Sequence, residues 1–394
     1  MKPASKREMA TSPEMYDVAI VGYGPVGAVA ANLLGRAGMR TLVLDRGHDI
    51  YDKPRALALD HEIARVLQGL GLADAIEPYV APFTASEYFG ANGQLIKRLT
   101  MVPPPYPQGW TPSMVFMQPE IERLLREAAA DTKSIEVRLG QTVHSVTQTD
   151  DHVILEMHGD DGLNSTAAAR YVIACDGANS ASRNLLNIEL EDLGFDQPWL
   201  VIDVIANANG IAKLPRTSVQ YCEPQQPATF VIGTGAHRRW EVMLNDDENP
   251  REAEQPENVW RRLSRWITPD DGQLWRSASY RFHALVAREW QAGRIFLAGD
   301  AAHQQPPFLG QGFCQGVRDV ANLSWKLQRV LSGHSGPKLL QSYGAERALH
   351  VRKLTGIIKS IGSLIAERDP NRAAERDARL IAEAGGAVQS TPRH

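Results

Sequence analysis

Cysteine is scarce in the 394-residue sequence: only Cys175, Cys222 and Cys314, an odd number set far apart. That supply fits neither a disulfide framework nor a Cys-x-x-Cys metal site, and the three read as reduced thiols in structural roles. Long apolar runs are missing too. None approaches the ~18 residues that a membrane span requires, so a membrane-spanning helix is not expected. The opening residues 1–16 are polar and mixed in charge, without the apolar core of a secretory signal, and the cytoplasm is the expected compartment. A basic excess is absent: the formal net charge is −4 and the pI about 6.3, which gives no bulk attraction to nucleic acid. No internal repeat is visible. A small molecule is the expected partner. His303 has no second ligand type at coordinating distance in the sequence, so no metal is expected.

What is present is the composition of a folded globular chain, 43% hydrophobic and 22% charged. The length allows two substantial domains, since single cores usually stop growing at about 250–300 residues. Residues 16–21 form an apolar run that ends at glycines. A helical stretch at 25–37 follows, and a second apolar run at 41–44 is closed by Asp45. This is strand, turn, helix, strand, the opening of a parallel α/β sheet. Helical spacing recurs at 121–130, with strands expected at 135–139, 153–157 and 171–175. Between 199 and 282 the texture changes to short strands separated by Pro, Gly, Asn and Asp, at 199–206, 217–222, 229–234 and 239–245, the pattern of a mostly antiparallel sheet. Helices are expected again at 317–331 and 337–367. The last residues, 385–394, are small and polar and are expected to fray.

Three motifs carry chemistry. The first is Gly22-Tyr23-Gly24-Pro25-Val26-Gly27. Gly22 permits the tight turn, Gly24 lets a pyrophosphate approach the backbone, and Gly27 lets the helix pack on the strand, so the helix N-terminus faces the phosphates. Asp45 stands about 20 residues on, where a carboxylate accepts from a ribose hydroxyl and disfavours a 2′-phosphate; the expected nucleotide resembles the adenosine half of FAD or NAD rather than NADP. The second is Asp176-Gly177-Ala178-Asn179-Ser180, with Arg183 following, at the end of an apolar strand. The third runs from Gly299-Asp300-Ala301-Ala302-His303 into Pro306-Pro307-Phe308-Leu309-Gly310-Gln311-Gly312, a glycine-rich entrance to a helix whose backbone N–H groups can stabilise negative charge.

In this order and over most of the chain, the three motifs resemble the group A flavoprotein aromatic hydroxylases, the fold of para-hydroxybenzoate hydroxylase. The resemblance implies an α/β fold with a Rossmann-like FAD-binding domain, an inserted, mostly antiparallel substrate domain and a C-terminal helical region. The FAD-binding domain is expected at 15–80, 108–188 and 283–384, and the substrate domain at 81–107 and 189–282, between flexible termini at 1–14 and 385–394. It also implies FAD contacts from Gly22, Gly24, Pro25, Val26, Gly27, Asp45, Arg46, Arg55, Gln118, Asp176, Gly177, Asp300, Pro307, Gly310, Gln311 and Gly312. Among these, Asp300 would hold the ribityl chain. Tyr221-Cys222-Glu223-Pro224, Arg238-Arg239-Trp240-Glu241 and the stretch from Gln311-Gly312 to Arg318-Asp319 look most like the 3-(3-hydroxyphenyl)propionate hydroxylase branch. Asp45 stands where many relatives have Glu, and Asn179 where Arg is frequent. Fuller relatives carry a thioredoxin-like C-terminal domain, and no role of that domain is carried over.

The implied reaction is hydroxylation of a phenol, such as a 3-hydroxyphenyl-alkanoate ortho to its hydroxyl, with NADPH or NADH as transient co-substrate, O2 and a flavin C4a-hydroperoxide. The partners are then the aromatic substrate and O2, with a homodimer left open. Three residues are candidates for the substrate chemistry. Tyr221 and His61 could relay the phenol proton, and Arg239 could anchor a carboxylate bidentately. Two other functions remain in view, a polyketide-type flavin hydroxylase or epoxidase and a non-catalytic FAD-binding protein. A plain NAD dehydrogenase would explain the first motif but not the third.

Overall fold

The computed structural model describes residues 14–393. Its first sheet grows from the strand Met15–Val21, whose run Val18-Ala19-Ile20-Val21 is apolar and buried, as a central parallel strand requires. Thr41–Leu44 and Ile135–Arg138 extend the sheet on one side in parallel register. Asn164–Ala174 and Ile295–Leu297 extend it on the other. The hairpin Gln141–Gln148 and Val153–Gly159 adds antiparallel strands to Asn164–Ala174. The helix Pro25–Arg36 opens with proline at its start and lies close to its neighbours because small residues face them. A Cβ on Gly35 would come within 2.5 Å of the Ile135 side chain.

Among the described residues the second sheet has nine strands and is built around two long ones, Leu190–Ala206 and Gly272–Ala287, paired antiparallel. His237–Met243, Ala228–Ile232, Ser218–Tyr221, Ser86–Phe89 and Leu95–Met101 continue it. Alternation along Leu190–Ala206 sorts the side chains. Leu200, Ile202 and Val204 face a core closed by the helices Pro250–Ala253 and Pro256–Leu263. Trp199 and Val201 face the opposite way, towards the helices Lys338–Ile365 and Pro370–Glu383 and towards Phe308.

One expectation is corrected here. The segment read as frayed, 385–394, contains the strand Gln389–Arg393, which pairs in parallel with Leu95–Met101. Small polar residues carry no hydrophobic signal, but the unpaired backbone of an edge strand can still capture them. Residues 1–13 and 394 lie outside the described residues. Among the described residues no helix is long and apolar enough to cross a membrane.

Candidate active site

The three motifs meet through backbone contacts that only glycine allows. Gly22 has φ +103°, and a Cβ there would lie 2.4 Å from the Cys175 carbonyl, so the first motif presses against the strand that delivers Asp176. On Gly27 a Cβ would lie 2.0 Å from the Gly22 carbonyl. Val26 in turn packs on Gly299 and Gly316, joining the first motif to the third. Gly24 differs from these: a Cβ there would meet nothing within 4 Å. The turn therefore opens onto free space beside the N-terminus of Pro25–Arg36, the arrangement that admits a pyrophosphate. Asp45 borders that space and accepts from Tyr23 N and Gly47 N, with lone pairs left for ribose hydroxyls. Arg46, beside it, is exposed.

The opposite wall comes from the segment 51–56. The Gln118 side-chain oxygen, buried at the start of Gln118–Ala130, accepts from Arg55 N at 3.1 Å and Ala56 N at 2.7 Å and fixes their backbone. The Arg55 guanidinium itself is exposed to the groove, over the Tyr51 ring. Asp300 is also reachable by solvent, yet it lies deep among protein atoms. Loss of water raises its carboxyl above the ordinary range, with Asp319 adding and His303 and Arg55 opposing.

The second motif acts mainly as a clasp. Asp176 accepts from the Ser180 hydroxyl and from Ser182 N, while Ser180 itself caps Ala181–Leu185 by accepting from Arg183 N. Arg183 is buried and donates to the Ala301 and Ala178 carbonyls. Gly177, at φ +81°, has open space around it. A residue outside the motifs completes the third. Asp319, fully buried, accepts from Gly299 N at 3.0 Å, His303 Nε2 at 2.8 Å and Arg347 Nε at 2.8 Å, and so holds the turn that presents Asp300. Past that turn, Pro307–Leu309 ends at Gly310, at φ +64°, packed on Ala58. Gln311 and Gly312 then open Gly312–Leu331, whose first turn has no side-chain cap. The groove thus offers room for a pyrophosphate, a ribose acceptor, a cation and an acceptor for the ribityl chain, a set that fits FAD.

A family model described as an FAD binding domain matches residues 15–356. The chain belongs to this FAD-binding family. It is 39% identical over 368 residues to a Rhodococcus jostii protein named "Probable NADH-specific resorcinol 4-hydroxylase", covering 93% of this chain and 68% of that one. It is 36% identical over 379 residues to the 3-(3-hydroxy-phenyl)propionate/3-hydroxycinnamic acid hydroxylase of Mycolicibacterium gilvum, covering 96% and 65%. The chain therefore spans about two thirds of the length of these curated relatives. Among solved structures, p-nitrophenol 4-monooxygenase from Pseudomonas putida DLL-E4 superposes with a TM-score of 0.83 at 26% identity, over 93% of each chain.

In this flavoprotein the loop expected to lie against the isoalloxazine is pinned to the large sheet. The Phe308 ring meets Trp199, Phe195 and Phe282 edge-on at 5.4, 5.8 and 6.1 Å between centroids, and Trp199 stacks on Phe282. A second tie runs from His237–Met243. Arg239 Nη1 donates to the Arg55 carbonyl at 2.9 Å, and its Nη2 to the Pro54 carbonyl. The sheet face that carries Trp199, Val201, Arg239 and Met243 is therefore the face turned to the flavin segments.

Two of the three expected substrate-side residues are corrected. Tyr221 lies on the opposite face, in the core closed by Pro256–Leu263. Its phenol accepts from Trp266 Nε1 at 2.9 Å, and burial raises its pKa, so it is no proton acceptor for the flavin side. Neighbours in a strand point to opposite faces, so it is Gln220, paired with Thr229, and not Tyr221, paired with Ala228, that takes the flavin side. Arg239 is on the correct face but already used. It is buried against Asp203, with Nε at 2.7 Å from Oδ1, and caps the Pro54 and Arg55 carbonyls. That leaves no free bidentate edge for a substrate carboxylate. His61 begins the helix His61–Gly69, half-buried, with an unpartnered Nδ1, between the carboxylates Asp60 and Glu62 that hold Arg318. No hydrogen bond joins it to Tyr221 or Arg239.

Asp203 and Glu241 were missed. Asp203 is a carboxylate inside an apolar run, a signal of a buried ion pair. Burial raises its carboxyl, but Arg239 and the His237 hydrogen bond outweigh that and hold it at about 2. Glu241, which alternates with Arg239 and Met243, is 7% exposed. Burial pushes its carboxyl up to about 7, against the opposing charges of Arg239 and Arg276.

Proposed function

We propose that the chain hydroxylates a phenolic ring ortho to an existing hydroxyl, using FAD, a reduced nicotinamide and O2. The observation that carries this reading is the seating of the flavin groove on the large sheet, through Phe308 on one side and Arg239 on the other. A nucleotide-holding scaffold alone needs no second sheet against that loop. FAD, when bound, supplies the redox chemistry: it accepts hydride from the nicotinamide and activates O2.

The protein residues do the remaining work. Gly24, Asp45, Arg55 and Asp300 bind and orient the cofactor. The aromatic wall of Trp199, Phe282 and Phe308 excludes water from the side where the ring would lie, which protects reactive oxygen from decay. Three unpaired cysteines support a reducing, cytoplasmic location as part of the same reading.

Within the phenols, the relatives suggest two substrates, resorcinol and 3-(3-hydroxyphenyl)propionate, which share a substituent meta to a hydroxyl. One observation favours the substrate without an acid chain: the expected carboxylate anchor, Arg239, is consumed by Asp203 and by backbone carbonyls. A panel of both compounds and of simpler phenols tests this, scored for nicotinamide consumption, O2 uptake and hydroxylated product. Ring-dependent acceleration of nicotinamide oxidation, with a catechol or hydroxyquinol product, is expected. A fully flavinated protein that no phenol stimulates would refute the reading.

A further inference from the structure

The flavin-facing side of the large sheet carries one line of side chains in register. Ala278, Val201, Glu241, Thr229 and Gln220 are successive cross-strand partners, from Gly272–Ala287 to Ser218–Tyr221. Ala278 and Val201 are small. Thr229 spends its hydroxyl on Gln220 Oε1 at 2.6 Å. Among the described residues none hydrogen-bonds the Glu241 carboxyl. It is the exception on this face: Asp203 is paired with Arg239, His237 and Arg276, and Arg276 also donates to the Pro54 carbonyl.

The position of Glu241 is fixed from both ends of its own strand. Two residues before it, Arg239 reaches the Pro54 and Arg55 carbonyls of the groove wall. Two residues after it, Met243 belongs to the cluster of Trp199 and Phe308, which is part of the loop beneath the expected isoalloxazine. Glu241 thus lies between the two ties that seat the flavin groove on the sheet, on the side where the ring would enter.

We infer that Glu241 is the catalytic base that accepts the proton of the substrate's phenolic hydroxyl. The inference rests on the proposed phenol hydroxylation and names the proton acceptor within it. The O–H bond of the phenol breaks, its electron pair stays on oxygen as phenolate, and the proton forms the O–H bond of the Glu241 carboxylic acid. No electrons are transferred in this step. The phenolate is the more electron-rich ring, and its carbon ortho to oxygen is the one to be hydroxylated.

The chemistry of the surroundings suits the task. A carboxylate at the ordinary Glu value near 4.3 would be weaker than a phenol near 10 by almost six pKa units, a poor match for proton transfer. Burial brings Glu241 up to about 7, which halves that gap. The charged groups that face it are Arg239 on its own strand, Asp203 on Leu190–Ala206 and Arg276 on Gly272–Ala287. Ala228–Ile232 brings only Thr229 and Val231 to this face. Arg239 and Arg276 are tied to Asp203 and to carbonyls, so neither neutralises Glu241 outright.

The test compares the holoenzyme with Glu241→Gln and Glu241→Asp, using resorcinol and 3-(3-hydroxyphenyl)propionate as probes. Flavin content and probe binding, read from the flavin spectrum, are expected to be retained in both variants. In Glu241→Gln, hydroxylated product is expected to fall by about 10²-fold or more at neutral pH, the usual contribution of a positioned base. The loss should shrink as pH rises towards the phenol's own pKa, where the substrate ionises unaided. Glu241→Asp should recover part of the rate. Wild-type turnover in Glu241→Gln, or a loss that pH does not relieve and Asp does not rescue, would overturn the assignment while leaving phenol hydroxylation intact. A wild-type enzyme that hydroxylates no phenol would sink both.

Discussion

Arg239 Nη1 lies 2.9 Å from the backbone carbonyl of Arg55, so a residue of the large sheet caps the segment that carries the groove's own cation. The same guanidinium neutralises the buried Asp203. Removing it strands a carboxylate with Arg276 at 3.7 Å and a neutral His237. Arg239→Ala should therefore destabilise the protein by about 3–5 kcal/mol, the cost of breaking a buried pair. Chemical unfolding measures that directly. A variant as stable as the parent, with altered preference only for carboxylate substrates, would restore Arg239 as a substrate anchor.

Asp300 and Arg55 are both exposed to the groove, and neither side chain is engaged in a hydrogen bond among the described residues. Each is expected to contribute a charge-assisted contact to FAD. Asp300→Ala and Arg55→Ala should each weaken FAD binding by roughly 1.5–3 kcal/mol, about 10- to 150-fold in Kd. Flavin fluorescence titration of the apoprotein gives the number. Unchanged affinity in both would remove the groove assignment.

Gly24 and Gly27, three residues apart, should respond in opposite ways. Gly24 has φ −68° and open space around a Cβ, so Gly24→Val should fold, yet lose flavin because the side chain fills the pyrophosphate's place. Gly27→Ala places a Cβ 2.0 Å from the Gly22 carbonyl and should instead lower stability. Thermal melts alongside flavin content separate the two outcomes. A yellow Gly24→Val protein would contradict the fingerprint reading.

The raised Glu241 carboxyl has a consequence for stability. At acid pH it is protonated in both folded and unfolded chains and contributes nothing. As pH rises from the ordinary Glu range to about 7, the unfolded chain releases its proton first, so folding loses stability. Above about 7 the penalty is constant, on the order of 3 kcal/mol. Asp203, held at about 2, does not titrate in this window. Glu241→Gln should thus gain stability over the parent at pH 8 but not near pH 4.5, which urea midpoints at the two values would report. Equal midpoint differences at both would mean that Glu241 ionises normally.

Much of this protein is written locally. The turn at Gly22–Gly27, the acid Asp45, the Asp176 and Asp300 junctions and the alternating strands after Trp199 each depend on a few adjacent residues. Backbone conformation, strand period and helix starts are short-range effects, so a sequence displays them. The sequence also displayed that Arg239 and Glu241 share a strand face, because that needs only the two-residue period. It could not say which face Tyr221 takes, since one residue of register reverses the answer and pairing partners fix the register. Nor could it say that Arg239 is spent on Asp203 and on Arg55, or that Asp319 holds the Asp300 turn. These pairs lie 36, 184 and 20 residues apart or so along the chain, and their meeting is set by sheet order and helix packing. The same holds for the strand Gln389–Arg393, whose residues carry no hydrophobic pattern and are ordered by the edge of Leu95–Met101. The chemistry of the groove was thus local in origin, while the choice of which charges are free to act in it was made by the tertiary structure.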